Sequence, residues 1–178
     1  MLDEIYKIDK DFTEDKFKTF VDNIFIQIHL AIMTKELYKI EHFVSDEVYS
    51  WLLEKVDKLQ LKKRIQMYDE LNVKETKINS GRIIEGDMYI DVTIVSRYMD
   101  YLLTEDGEYI SGNNLSRVEK ENHLIFKKKI NAKKLLTNRK CSSCGASLDI
   151  NRNGKCDYCG TVFNLDEKSW VLVEFEVC

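Results

Sequence analysis

The chain has 178 residues, of which 44% are hydrophobic, 33% are charged and none is proline. This length and composition predict a folded protein made of one ordinary domain and one small accessory module. Because binding to nucleic-acid phosphates requires a basic surface, the formal net charge of −4 argues against a nucleic-acid partner.

The amino-terminal third has the apolar spacing of helices. After an extension at residues 1–12, apolar side chains recur at intervals of three and four from Phe17 to Ile32, which predicts a long helix beginning near Thr13. Ser45 then supplies the N-cap of another helix, with acidic residues in its first turn. We expect that helix to bury one stripe of side chains: Val48, Trp51, Leu52, Val56 and Leu59.

After Arg64 the pattern changes from helical to alternating, which is typical of strands. One strand places its apolar side chains on a single face: Met88, Ile90, Val92 and Ile94. Turns at residues 85–87 and 105–107 and a strand from His123 to Ile130 follow. A last strand is predicted at residues 169–178. Every second residue of it is apolar and is expected on one face: Val171, Val173, Phe175 and Val177. Helices followed by antiparallel strands predict an α+β domain whose curved sheet wraps its helices.

Two C-x-x-C pairs lie between these last strands. Their cysteines are Cys141, Cys144, Cys156 and Cys159, and each pair is followed by a glycine, Gly145 or Gly160. Each turn brings two thiolates to one side of a bend, and together they supply the tetrahedral ligands that Zn²⁺ prefers. The glycines permit a positive φ that directs backbone N–H groups toward the sulfurs. We therefore predict a structural zinc ribbon at residues 139–168; two disulfides, a redox pair or an iron–sulfur cluster are the alternatives.

The sequence also bears on the cellular compartment. No window has the length and hydropathy of a membrane span, and the amino-terminal residues lack the pattern of a signal peptide. Because metal-binding thiols must stay reduced, we expect a cytoplasmic protein. Cys178 is expected to be an incidental thiol, since no basic side chain or histidine adjoins it.

The sequence resembles bacterial proteins with a domain like the mitochondrial inner-membrane translocase subunit Tim44. The segments that match are the two C-x-x-C pairs, Trp170 with Val171 and Leu172, Asp100 with Tyr101, Ser111 with Gly112, and the run from Leu124 to Lys128. The resemblance covers residues 16–177. Ser142 stands where family members tend to have proline, and a tryptophan expected near His123 is absent.

The resemblance implies a cone-shaped, cystatin-like domain at residues 13–138, similar to nuclear transport factor two. It implies a hydrophobic pocket that binds a protein partner or a small apolar or lipid ligand. For the mitochondrial relative it also implies attachment to anionic membranes and scaffolding of other proteins. We therefore expect a non-catalytic binding or scaffold module; dimers are common among such cones, but the sequence leaves the oligomeric state open.

A basic run precedes the ribbon. Its lysines are Lys127, Lys128, Lys129, Lys133 and Lys134. A cluster of this kind can hold a protein to anionic lipid, at about 1 kcal/mol per residue near the surface. The alternative is a solvated strand and connector.

A small pocket enzyme is the alternative function, because this fold class includes ketosteroid isomerase. The candidate catalytic residues form no recognisable motif: His29, Asp91, Asp100 and Tyr101. His42 and His123 have no ligand-type neighbours. A further set could line a ligand cavity, although such residues commonly form plain core: Phe20, Phe25, Met33, Trp51, Met67 and Met88.

Overall fold

The computed structural model of the chain describes residues 2–130, 158–159 and 170–177. Several residues of the sequence predictions lie outside these ranges: Lys133, Lys134, Cys141, Cys144, Gly145, Cys156, Gly160 and Cys178. The prediction of an inserted zinc ribbon therefore falls largely outside the described residues.

Three α-helices occupy the first part of the chain: α1 (Asp3–Ile8), α2 (Glu14–Thr34) and α3 (Asp46–Leu61). Two 3₁₀ turns, Leu37–Lys39 and Glu41–Phe43, connect α2 to α3. Thr13 Oγ1 accepts a hydrogen bond from the Lys16 N–H at 3.4 Å, and Ser45 Oγ accepts one from the Val48 N–H at 3.3 Å. These bonds satisfy backbone donors that the first turn of each helix leaves unpaired. The predicted starts of both long helices are therefore confirmed.

Four strands follow among the described residues: β1 (Arg64–Ile84), β2 (Asp87–Thr104), β3 (Tyr109–Lys129) and β4 (Val171–Val177). They form one antiparallel sheet in the order β1-β2-β3-β4. The expected α+β class, with helices first and an antiparallel sheet after them, is confirmed. The separate short strands expected between residues 64 and 130 are instead three long ones. Register shifts, one of them between Asp69 and Asn72, let these strands bend without breaking their pairing.

The core lies between α2 and one face of the sheet. The predicted face of β2 is confirmed, because Ile90, Val92 and Ile94 are all fully buried. Phe126 of β3 is also fully buried, and its ring packs edge-on against Phe17 of α2 at a centroid distance of 5.7 Å. Edge-on aromatic pairs of this kind add to the stabilisation gained from burial.

Strand β4 differs from its predicted pattern. The apolar set beginning at Val171 was expected to share one face, but Leu172 is the fully buried residue. A register shift between Ile125 and Phe126 of β3 places one extra residue, Val173, in β4 at this point. Such a bulge reverses the facing of the residues beyond it, and Phe175 consequently packs toward the core as well.

Helix α3 corrects a second expectation. The helix buries Val48, Leu52 and Val56, which are spaced four residues apart. Trp51 was predicted to be buried, but it lies at the edge of that stripe and its side chain is 41% exposed. Its ring contacts Phe175 at a centroid distance of 5.8 Å. Trp51 therefore lies at the mouth of the space between α3 and the sheet.

Candidate functional site

A buried polar cluster lies where the middle of α2 faces β1 and β2. His29 is 4% exposed, and its ring lies 4.6 Å from that of Tyr68 and 5.4 Å from that of Tyr98. Its Nδ1 atom is 2.8 Å from the carbonyl oxygen of Phe25. Burial lowers the pKa of His29 to about 4, because a charged imidazolium loses its hydration inside the protein. His29 is therefore neutral at physiological pH.

The two tyrosines of this cluster are also held in their neutral form. Burial raises the pKa of Tyr68 and of Tyr98 well above the ordinary value, and the negative charge of Asp100 raises both further. A phenol in this state donates and accepts hydrogen bonds but does not ionise at physiological pH. Tyr68 and Tyr98 are therefore hydrogen-bonding groups rather than general bases.

Both oxygens of the Asp100 carboxylate are engaged. Oδ2 lies 2.6 Å from Lys120 Nζ in a salt bridge, and Oδ1 accepts a hydrogen bond from Gln66 Nε2 at 2.8 Å. The Gln66 amide also donates to the carbonyl oxygen of Tyr101 at 3.1 Å. These contacts cross from β1 to β2 and from β2 to β3, and they fix the position of the carboxylate beside the tyrosines.

Lys55 of α3 links the helix to this cluster. Its Nζ atom donates a hydrogen bond to Tyr68 Oη at 3.0 Å. The ammonium group also lies 5.9 Å from the centroid of Trp51 and 5.7 Å from that of Tyr68, within cation–π range. Burial lowers the pKa of Lys55, while the charge of Asp100 opposes that shift. Lys55 is therefore a partly desolvated cation without a salt bridge to any described residue.

A cavity of about 350 Å³ opens beside Lys55, between α3 and the start of the sheet. We call it the α3–β1 cavity. Its lining residues are Trp51, Glu54, Lys55, Lys58, Leu59, Lys62, Arg64, Gln66 and Leu102. The lining combines an apolar wall, formed by one aromatic and two leucine side chains, with several cations. The volume is at the small end of the range for small-molecule sites.

A second, smaller groove of about 260 Å³ lies on the other side of Trp51, between α3 and β4. It is lined by Glu47, Val48, Trp51, Val173, Glu174, Phe175 and Glu176. The N–H of Ser45 donates to the carbonyl oxygen of Leu172 at 2.8 Å. Beyond Leu172, no described residue pairs with the outer edge of β4.

The candidate catalytic residues of the sequence do not assemble into one site. Only His29 lies within the buried polar cluster, and Asp100 lies at its partly exposed edge. Asp91 accepts a hydrogen bond from Asn79 Nδ2 at 2.9 Å, and the Tyr101 hydroxyl donates to the carboxylate of Asp69. Each of these side chains thus has a structural partner of its own.

Two of the three described lysines of the basic run are paired with carboxylates. Lys127 Nζ lies 2.6 Å from Asp87 and Lys128 Nζ lies 2.6 Å from Asp9, whereas Lys129 is exposed. These pairs reduce the charge that the run offers to an anionic surface. Binding to such a surface stays a prediction.

The sequence analysis predicted only some of the residues that line the α3–β1 cavity. Of the residues expected to line a ligand cavity, Trp51 does so, whereas Phe25 and Met88 are buried core. The basic residues were missed, although Lys55, Lys58 and Lys62 follow Trp51 at helical intervals and share its side of α3. That spacing is the feature of the sequence from which a basic lining beside Trp51 could have been predicted.

Neither a cluster of metal ligands nor a membrane-spanning helix occurs among the described residues. Within residues 2–130, 158–159 and 170–177, no group of three or more histidine, cysteine or acidic side chains is placed to hold a metal ion. Cys159, the one described cysteine of the C-x-x-C pairs, is exposed. No helix among the same residues is long and apolar enough to cross a bilayer.

Comparison with known proteins addresses the identity of the fold. No curated protein matches the sequence significantly. A sequence model described as the Tim44-like domain matches residues 1–136. This match covers the three helices, β1, β2 and β3, and with them every residue that lines the α3–β1 cavity. The chain therefore belongs to the Tim44-like domain family.

Proposed function

We propose that this chain is a non-catalytic binding module that holds a small, largely apolar ligand in the α3–β1 cavity. The observation that carries the proposal is the cavity itself, about 350 Å³ in volume and walled by Trp51, Leu59 and Leu102. Most of the surface that lines the cavity is apolar, although several of its side chains end in a charge. Concave sites with a mostly apolar surface are the usual form of small-molecule sites. Membership of the Tim44-like domain family supports a binding role over an enzymatic one.

The positions of two candidate catalytic groups, His29 and Asp100, support a binding role. A general base must be free to take a proton from a substrate. The carboxylate of Asp100 has a salt bridge on one oxygen and an amide hydrogen bond on the other. His29 is almost fully buried and does not line the cavity. Neither group is positioned to exchange protons with a molecule in the cavity.

We also propose that a ribbon inserted before β4 binds one structural Zn²⁺. Its ligands would be the four thiolates of the C-x-x-C pairs: Cys141, Cys144, Cys156 and Cys159. This donor set fits zinc in a closed tetrahedral site, with Gly145 and Gly160 allowing the turns around the sulfurs. When bound, such an ion stabilises the fold of the ribbon and leaves no coordination position for a substrate.

A protein partner is the second candidate, because no described residue pairs with the outer edge of β4 beyond Leu172. An extended peptide can add to an exposed edge strand through backbone hydrogen bonds. The groove beside that edge presents apolar side chains, among them Val48 and Phe175, with Glu174 and Glu176 on its rim. A partner segment that alternates apolar and basic residues would match both features.

The small-ligand proposal is tested by titrating the intact chain with 2-naphthol, a neutral bicyclic probe, and recording amide chemical shifts. We expect a saturable response centred on α3 and the start of β1. The variant Trp51→Ala should weaken binding about tenfold, because it removes the aromatic wall of the cavity.

The matched control is Leu53→Ala on the same helix. Leu53 is 43% exposed and does not line the cavity, so its loss should leave the affinity for 2-naphthol unchanged. Chemical-shift changes confined to the groove beside β4 would favour the protein-partner candidate. Absence of saturable binding of 2-naphthol, and of the carboxylate with the same rings, 2-naphthoate, by the unaltered chain would contradict the small-ligand proposal.

A further inference from the structure

The lining of the α3–β1 cavity carries a charge opposite to that of the whole chain. Four cations and one carboxylate line it: Lys55, Lys58, Lys62, Arg64 and Glu54. The formal net charge of the chain is −4. A group of cations that lines a concave site in an acidic protein raises the local concentration of anions there.

Most of this positive charge has no carboxylate partner within the described structure. The single acid, Glu54, is paired with Lys58 at 2.6 Å. Lys62 and Arg64 form no salt bridge with any described residue. Three cations around the cavity are therefore available to an incoming anion.

Lys55 is the cation best placed to recognise that anion. A lysine ammonium has three donors, and the hydrogen bond to Tyr68 Oη accounts for one. The group lies against the rings of Trp51 and Tyr68 rather than in open solvent. An anion bound here would restore interactions that Lys55 loses through its burial, so the pairing would be stronger than at an exposed lysine.

We propose that the α3–β1 cavity selects organic anions: Lys55, Lys62 and Arg64 bind an anionic group whose apolar body lies against Trp51, Leu59 and Leu102. This inference rests on the proposed function and names the ligand class of the same site. The cavity volume of about 350 Å³ fits a molecule of one or two rings or a short chain, and is too small for a two-chain phospholipid.

The test compares two probes with the same ring system, 2-naphthoate and 2-naphthol, by calorimetric titration of the intact chain at pH 7. The first probe is an anion at this pH and the second is neutral. We expect 2-naphthoate to bind at least about tenfold more tightly, the effect of one or two charge-assisted hydrogen bonds. Added salt should reduce this preference, because it screens the partly exposed cations.

Two variants locate the preference. Lys62→Gln removes an exposed charge without disturbing the core. Lys55→Met keeps an unbranched apolar side chain and removes the ammonium group. Each should weaken 2-naphthoate severalfold and leave 2-naphthol within about twofold. The control Lys77→Gln removes an exposed lysine of β1 that does not line the cavity, and it should change neither affinity.

The outcomes separate this inference from the function on which it rests. Equal affinities for the two probes, or a preference for the anion that survives both variants, would overturn the inference and leave the binding function standing. Failure of both probes to bind would instead contradict the proposed function. A larger effect of Lys62→Gln than of Lys77→Gln would support the assignment even if Lys55→Met fails to fold.

Discussion

His29 donates a hydrogen bond from Nδ1 to the carbonyl oxygen of Phe25, 2.8 Å away and one turn earlier in α2. A carbonyl oxygen can only accept, so the proton of the neutral ring is on Nδ1. The ring is enclosed by aromatic side chains, with Phe25 at 4.3 Å and Tyr68 at 4.6 Å between centroids. Protonation of His29 would therefore add a second proton, and a charge, to a ring that is buried among aromatic side chains.

This arrangement predicts a loss of stability in mild acid. The pKa of His29 falls from 6.5 to about 4 on folding, so between these values the unfolded chain binds the proton and the folded chain does not. The contribution of His29 to the free energy of unfolding should be fully present above about pH 6.5 and should decrease as the pH falls toward 4. Between pH 7.5 and 5.5 we expect His29 to account for a loss of about 1 kcal/mol.

Urea unfolding of the unaltered chain and of His29→Leu at the two pH values measures this contribution. The comparison cancels the pH dependence that comes from the rest of the chain, because the two proteins differ only at residue 29. The variant should lose about 1 kcal/mol less than the unaltered chain over this pH interval. Equal losses in the two chains would show that His29 is not the group responsible.

Two glycines with a positive φ, Gly112 in β3 and Gly107 in the turn before it, differ in how much space surrounds them. Gly112 has a φ of +105°, and a methyl group built there would collide with the carbonyl oxygen of Asp100 and lie 2.6 Å from the Cα atom of Tyr101. Gly107 has a φ of +86°, but a methyl group there would meet no atom within 4 Å. We expect Gly112→Ala to destabilise the chain by more than about 2 kcal/mol and Gly107→Ala by only about 1.

Thermal or urea unfolding of the two variants measures both losses. Because φ is positive at both glycines but only Gly112 is crowded, Gly107→Ala reports the conformational cost, and the difference between the two variants gives the steric cost. Gly112 pairs with Tyr101, next to Asp100, so Gly112→Ala should also perturb the Asp100 amide signal. Similar losses of stability in the two variants would mean that the β2–β3 pairing gives way at little cost.

The sequence predicted β2 well and β3 poorly, for a physical reason. The alternating apolar side chains of β2 all enter the core, so their pattern reports the face directly. The first half of β3, near Asn113 and Arg117, is polar and mostly exposed, and it is held by backbone pairing to β2. Backbone hydrogen bonds do not depend on side-chain hydropathy. The length of β3 therefore could not be predicted from the sequence pattern without knowledge of its pairing with β2.

The candidate site shows the same limit. Lys55 and Trp51 could be placed on one side of α3 from their spacing alone. Arg64, Gln66 and Leu102, however, reach the cavity only because β1 begins beside α3 and pairs with the end of β2. That tertiary relationship requires the register of the sheet, which depends on bulges that the sequence does not mark.

A salt bridge anchors the amino-terminal segment to the sheet. Lys128 Nζ lies 2.6 Å from Asp9, which follows α1, and the two side chains are only 19% and 16% exposed. The same ammonium group lies 5.7 Å from the centroid of Trp170. We expect Lys128→Met to destabilise the chain by about 2 kcal/mol, because it leaves a half-buried carboxylate without its partner.

The neighbouring Lys129 provides the control. Its side chain is exposed, so Lys129→Met should change the free energy of unfolding by less than about 0.5 kcal/mol. Binding to vesicles of anionic lipid should respond in the opposite order if the basic run binds membranes, with Lys129→Met the more damaging change. Equal destabilisation by the two variants would argue that the contact with Asp9 contributes little.

The proposed ribbon predicts a defined metal content. Protein purified without chelators should contain about one zinc ion per chain, because four thiolates complete one tetrahedral site. Cys144→Ser removes one ligand, and its zinc content should fall below about half an equivalent.

Because the proposed site is structural and the α3–β1 cavity is formed by other residues, removal of zinc by a chelator should leave the affinity for 2-naphthol within about twofold. Elemental analysis measures the metal, free-thiol titration measures the disulfides, and the ligand titration measures the affinity. A metal-free chain with two disulfides, or a chain with iron in place of zinc, would contradict the assignment of a zinc site. Loss of ligand binding on chelation would show instead that the ribbon supports the cavity.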